Sequence, residues 1–292
     1  MKRAIQTVVE NPTRILVGLN RLYHKGPFSE NGNKKGVNFI EEEWDTLIIL
    51  DACRFDEFAR SVDLPGETNH KISLGSTSKE FIRANFSNKI LYDTVYVSAN
   101  GWYEKLRDEI NSDVHRFVYT DRDAAGGLTT KPETVTRAAL NAFEEHPNKR
   151  LIIHYMQPHQ PYLGPAGEKI DHGAALSTTV RKNQLGKETL WSAYRENLQL
   201  AINEVRTVLK EMSGKTVVTA DHGELLGEQQ SPIPIRDYGH PLGIYVDELV
   251  KVPWHVYENG ERKIVSANSR FSEERENQDR IEEHLTNLGY RV

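Results

Sequence analysis

Two hydrophobic rhythms divide the chain. Short apolar or β-branched runs bounded by turn residues predict strands at residues Thr46 to Leu50, Thr94 to Ser98, Arg116 to Thr120, Leu151 to Tyr155, Thr216 to Thr219 and Val252 to Tyr257. Thr46 to Leu50 has no polar alternation after its first residue, so it reads as a strand covered on both faces. Between the strands the spacing becomes helical. Phe81, Ile82 and Phe86 suit a helix over residues Lys79 to Phe86, and Pro132 opens another that runs to about Glu145. The clearest helix spans about Glu188 to Met212, where Trp191, Tyr194, Leu198, Ile202, Val205 and Leu209 keep the period and Gly214 supplies a stop. A final helix, capped by Ser272, carries Ile281, Leu285 and Leu288 on its inner face. Strands alternating with helices imply an α/β fold with a mostly parallel sheet and helices on both faces.

The amino-terminal stretch stands apart. From Thr13, residues Ile15, Leu16, Leu19, Leu22 and Tyr23 share one helical face, beside Arg14, Arg21 and Lys25. That face is expected to pack on the domain; the alternative is a basic amphipathic helix resting on a membrane surface. A Gly-rich stretch over residues 28 to 37 then reads as a linker, which divides the chain into residues 1–37 and a single catalytic domain over 38–292. Glu10, Asn11, Pro12 and Arg14 interrupt any apolar core after Lys2 and Arg3, so neither a signal peptide nor a spanning helix fits.

Composition narrows the partners. A net charge of −5 lacks the basic excess of a general nucleic-acid binder. The single cysteine, Cys53, excludes an intrachain disulfide framework and a Cys-rich zinc site, and with it goes the expectation of a cytoplasmic location, free or peripheral at the inner membrane surface.

The candidate chemistry sits at the strand ends. The run at residues 216 to 219 stops at Asp221-His222-Gly223, the run at 46 to 50 stops at Asp51, and the run at 151 to 155 delivers His154 and then His159. In a parallel sheet such carboxyl-terminal ends gather along one edge, so these residues and His240 become candidates for one pocket. Carboxylate and imidazole together suit a divalent cation. The hydroxyls of Ser76, Thr77 and Ser78 lie at a helix start, where exposed N–H groups favour an anion.

With these motifs in view, the chain resembles the alkaline phosphatase and sulfatase superfamily from roughly Trp44 to its end. The resemblance rests on Leu-Ile-Ile-Leu-Asp51-Ala-Cys-Arg-Phe-Asp56, on Gly75-Ser-Thr-Ser78, on His154-Tyr-Met-Gln-Pro-His159, and on Asp221-His222-Gly-Glu followed by Gly239-His240. It implies a three-layer α/β sandwich and a metal-dependent sulfate or phosphate ester hydrolase. It also implies metal ligands Asp51, Asp221 and His222, with Thr77 as the best match to a metal-bound nucleophile and Ser76 and Ser78 as alternatives, His159 as leaving-group acid and His240 as an assistant or further ligand. Arg54 and Lys79 are expected to add positive charge. Cys53 lacks the Cys-x-Pro-x-Arg context of a formylglycine precursor and reads as packing. One divalent ion is expected, Mn, Zn, Mg or Ca. The implied substrate is an anionic ester on a glycan, a lipid headgroup or a small metabolite, with a phosphoryl-headgroup transferase or a noncatalytic binding domain as the alternatives.

Overall fold

The computed structural model describes residues 12–25, 32–120, 122–267, 271 and 278–290. The Ser272 cap, and part of the expected linker, lie outside them.

Nine strands are present among the described residues: β1 (Thr46–Leu50), β2 (Glu67–Ile72), β3 (Ile90–Ser98), β4 (Asp113–Tyr119), β5 (Arg150–Tyr155), β6 (Gly214–Thr219), β7 (Leu225–Gln229), β8 (Arg236–Gly239) and β9 (Lys251–Asn259). Seven form one sheet in the order β2-β9-β6-β1-β5-β3-β4, and β7 pairs with β8 in a separate ribbon. β1 is parallel to both neighbours, β5 and β6, while β9 runs antiparallel to β6 and β2. Burial on both faces explains the wholly apolar Leu47 to Leu50 run, every residue of which is fully buried.

The helices are α1 (Pro12–Lys25), α2 (Phe55–Ser61), α3 (Ser78–Phe86), α4 (Trp102–Leu106), α5 (Pro132–Glu145), α6 (Leu176–Lys182), α7 (Lys187–Glu211), α8 (Asp247–Val250) and α9 (Gln278–Asn287). They cover both faces of the sheet. Tyr155 points to one face and bonds Thr136 of α5, 2.8 Å away. On the other face Tyr96, which bonds His154, stacks on Phe86 of α3 and packs against Tyr103 of α4. Adjacent residues of β5 thus face different helix layers, as the alternation of a strand requires. The result is the three-layer α/β sandwich expected from the sequence.

The β7–β8 ribbon, β2 and α1 differ from expectation. β2, Glu-Thr-Asn-His-Lys-Ile, is mostly exposed and was invisible to hydrophobic pattern, because it joins the sheet through its backbone at an edge. Helix α1 is inverted relative to the expected packing. Its Asn20 is fully buried and donates to Gln230 Oε1 at 3.1 Å and to the Ile233 carbonyl at 2.9 Å, while Arg21 donates to the Leu242 carbonyl and Lys25 pairs with Glu80. The apolar face, from Ile15 to Tyr23, looks outward.

Candidate active site

Parallel neighbours in register bring the ends of β1, β5 and β6 side by side: Ile49 lies opposite His154 on one side and Thr219 on the other. Asp51 and Asp221 therefore leave the sheet together. Ala52 then adopts a φ of +62°, a left-handed turn that costs a non-glycine residue energy and persists only where its surroundings enforce it. Here the turn aims the Ala52 N–H at Asp221 Oδ1, 3.2 Å away. Tyr194 of α7 holds the same turn, donating to the Ala52 carbonyl and accepting from the Arg54 N–H.

Asp51, His154, Asp221 and His222 form a fully buried cluster. His222 Nε2 lies 3.7 Å from Asp51 Oδ1 and 3.4 Å from Asp221 Oδ2, and His154 Nε2 is 3.8 Å from a carboxylate oxygen of each aspartate. The outer atoms are fixed. Asn100 donates to Asp51 Oδ2 at 2.7 Å, the His222 N–H donates to Asp221 Oδ1 at 2.8 Å, and His222 Nδ1 donates to the Gly223 carbonyl. That last bond leaves the Nε2 lone pair facing the carboxylates.

A divalent cation fits this set. Asp51 Oδ1, Asp221 Oδ2 and His154 Nε2 are buried without a hydrogen-bond partner, a costly arrangement for groups that accept strongly. Burial, and next the neighbouring Asp221 charge, push Asp51's carboxyl well above the usual carboxylate range. One ligand atom from each of Asp51, Asp221 and His222 lies within 4.8 Å of the others, so one ion reaches all three with small adjustments.

A second group, His159, Glu224 and His240, has the same compactness. Glu224 was not singled out from the sequence, although it closes the Asp-His-Gly-Glu run. It is fully buried, accepts from His240 Nδ1 at 2.9 Å, and keeps Oε2 unpartnered. Burial raises its carboxyl to about 7 and lowers His159 and His240 to about 4 each. The His240 ring lies 4.5 Å from His222 and 5.1 Å from His159, so the two groups adjoin. Tyr290, which the sequence places at the end of the last helix and gives no part in the site, stacks on His159 from the carboxyl-terminal end of the chain. Nothing in its local sequence marked it.

The three hydroxyls divide the work. Thr77 caps α3 by accepting the Glu80 N–H at 3.2 Å. Ser76 donates to Glu80 Oε2 at 2.9 Å and accepts the Gly243 N–H. The hydroxyl that reaches the cluster is Ser78's: its Oγ is 3.4 Å from Asp51 Oδ2, 3.4 Å from His222 Nε2 and 3.3 Å from the Tyr290 hydroxyl. A cavity of about 610 Å³ opens beside them, lined by Thr77, Lys79, Trp102, His159, His240 and Tyr290 among others. Lys79 Nζ sits over the Trp102 ring at 4.7 Å. Arg54 departs from expectation. Its guanidinium is spent on Asp56, Glu228 and the Glu224 carbonyl, so it buttresses the site from behind and offers the cavity no free charge. Cys53 is fully buried, and burial raises its thiol well above its usual value.

No protein-family model matches the chain, and no curated protein matches it in sequence. Solved structures similar to it include the C-terminal periplasmic domain of a phosphoethanolamine transferase from Campylobacter jejuni, at 14% identity and a TM-score of 0.49, covering 73% of this chain and 78% of that one. The corresponding Escherichia coli domain, in complex with Zn, has 12% identity and a TM-score of 0.49, covering 76% and 75%. A protein of the alkaline phosphatase superfamily from Vibrio parahaemolyticus has 14% identity and a TM-score of 0.45, covering 86% and 70%. The superfamily that the motifs resemble is among the structural neighbours. At such identities the reaction has to be read from the site itself. The expected cytoplasmic location does not stand: domains described as periplasmic are among these structures. Its premise was also weak, because a lone buried cysteine has no partner to oxidise in any compartment. Among the described residues no helix is long and apolar enough to cross a membrane.

Proposed function

We propose that this chain is a metal-dependent enzyme that cleaves a phosphate or sulfate ester by way of a covalent intermediate on Ser78. The observation that carries the reading is the position of Ser78 Oγ, 3.4 Å from both Asp51 Oδ2 and His222 Nε2 at the amino end of α3. Asp51, Asp221 and His222 would hold the cation, with His154 beside them. A divalent ion there lowers the pKa of a nearby hydroxyl and offsets negative charge on the ester oxygens. The second group, His159, Glu224 and His240, has ligand chemistry for another ion, and stoichiometry distinguishes one from two.

Ser78 gives up its proton to the adjoining carboxylate cluster and attacks, forming the Oγ–phosphorus or Oγ–sulfur bond as the ester bond to the leaving oxygen breaks. His240 is better backed than His159 to protonate that oxygen, since its Nδ1 shares a proton with Glu224, 2.9 Å away, whose carboxyl burial raises to about 7. Water, or a second alcohol, then takes the group from Ser78. Hydrolysis and transfer share the first half, and the acceptor separates them. A protein that merely binds has no use for a buried hydroxyl set between a carboxylate and an imidazole, Asp51 Oδ2 and His222 Nε2.

The test is turnover of aryl phosphate, aryl sulfate and aryl phosphodiester by protein loaded in turn with Mn, Zn, Mg and Ca, followed by mass spectrometry of acid-quenched samples. The expected result is turnover with at least one pairing and an adduct on Ser78. Turnover with every sample free of adduct would point to direct attack by water instead.

A further inference from the structure

Helix α1 is attached by its polar side. Asn20, Arg21, His24 and Lys25 bond to Gln230, Leu242, Ser231 and Glu80, so the domain covers the polar face and leaves the apolar one outside. Ile15 is 42% exposed, Leu16 38%, Leu19 47%, Leu22 50% and Tyr23 69%. At helical spacing these five occupy one arc of roughly 120°. An apolar stripe of this kind, held outward by the buried Asn20 and by the contacts of Arg21, His24 and Lys25, marks an interaction surface.

We infer that this stripe docks the protein on an anionic lipid surface. Charge selects that occupant. The first 25 residues contain Lys2, Arg3, Arg14, Arg21 and Lys25 against one acid, Glu10, within a chain whose net charge is −5. The helix itself contains no acid. A second copy paired through the same stripe would bring two acid-free cationic helices together, whereas an anionic headgroup layer complements them. Position adds a consequence. Arg21 both belongs to α1 and lines the cavity that holds His159 and His240, so the helix that carries the stripe also forms part of the cavity wall. Resting on the ester-cleavage reading above, this narrows the substrate class to esters of lipid headgroups.

The test is co-sedimentation of the full chain with phosphatidylcholine vesicles, with and without phosphatidylglycerol. Binding to the anionic vesicles, weakened by salt, is expected. In Leu19→Glu/Leu22→Glu it should fall by about tenfold or more, since both side chains are solvent-facing in the free protein and buried on docking. Circular dichroism of that variant, and a milder Leu19→Gln/Leu22→Gln pair, guard against a folding defect. Aryl ester turnover should be unchanged in both variants, and it reads the ester-cleavage function separately: vesicle binding without any turnover would sink that function and leave the docking surface standing. Wild-type protein that ignores anionic vesicles, or variants that bind as well as wild type, would overturn the inference. So would a dimer that the substitutions dissociate, because the stripe would then belong to a second copy.

Discussion

Neighbouring hydroxyls with different duties make a sharp test, in paired substitutions Thr77→Ala and Ser78→Ala. Thr77 loses one cap bond of 3.2 Å to the Glu80 N–H, which costs about 1 kcal/mol. In a chain of this size that lowers Tm by roughly 2–4 °C. Ser78 Oγ makes three contacts of 3.3–3.4 Å, each longer than an ordinary O–H···O bond, so its removal should change stability by less than about 1 kcal/mol. Turnover should show the opposite ranking. Loss of the attacking oxygen should lower kcat by at least about a thousandfold, equivalent to roughly 4 kcal/mol of barrier, while Thr77→Ala stays within a few-fold of wild type. Calorimetry and steady-state turnover of the metal-loaded protein on its best aryl ester read the two effects separately. A Thr77→Ala protein that is inactive beside an active Ser78→Ala protein would refute the assignment. Two active proteins would refute a hydroxyl nucleophile at either position.

Three other outcomes follow from the buried groups. Glu224→Gln removes the carboxylate behind His240 and should reduce kcat by about 10–100-fold while Asp51, Asp221 and His222 still load metal; unchanged kcat would dismiss the pair. Cys53→Ala should retain turnover, and an aldehyde mass at Cys53 in the intact protein would contradict its role as packing. In the metal-free protein His159, His240 and His284 are held near 4 by burial, against about 6.5 when unfolded, so between those values the unfolded chain binds more protons. The contribution of these histidines is then complete above pH 6.5 and declines as the pH falls towards 4, outweighing the opposed group Glu224, whose raised carboxyl favours the folded chain at the acid end of the same window. Urea midpoints that stay flat over that window would count against neutral buried imidazoles.

The parts of the fold visible in the sequence were those whose burial dictates composition. β1 had to be apolar because α/β packing covers it twice, and α7 had to repeat every three to four residues because one face meets the core. Metal-ligand candidates were visible because their types end those strands. What stayed hidden depends on backbone pairing or direction. β2 and the β7–β8 ribbon are held by backbone bonds that constrain composition little. The α1 pattern shows which residues share a face, and says nothing of which way that face points. Thr77 and Ser78 are both natural at a helix start, yet only a structure shows that Thr77 turns to the helix and Ser78 to the cluster. Glu224 and Tyr290 enter the site through tertiary contacts with His240 and His159.

The central claim is that the buried Asp51, Asp221 and His222 at the ends of β1 and β6 form a working metal site. Elemental analysis of wild-type, Asp221→Asn and His222→Ala proteins after loading and gel filtration tests it most directly, with circular dichroism confirming the fold. The wild type should retain at least one divalent ion per chain, and each variant should lose it together with turnover. A wild type that holds no divalent ion, or variants that retain as much metal as the wild type, would contradict the account.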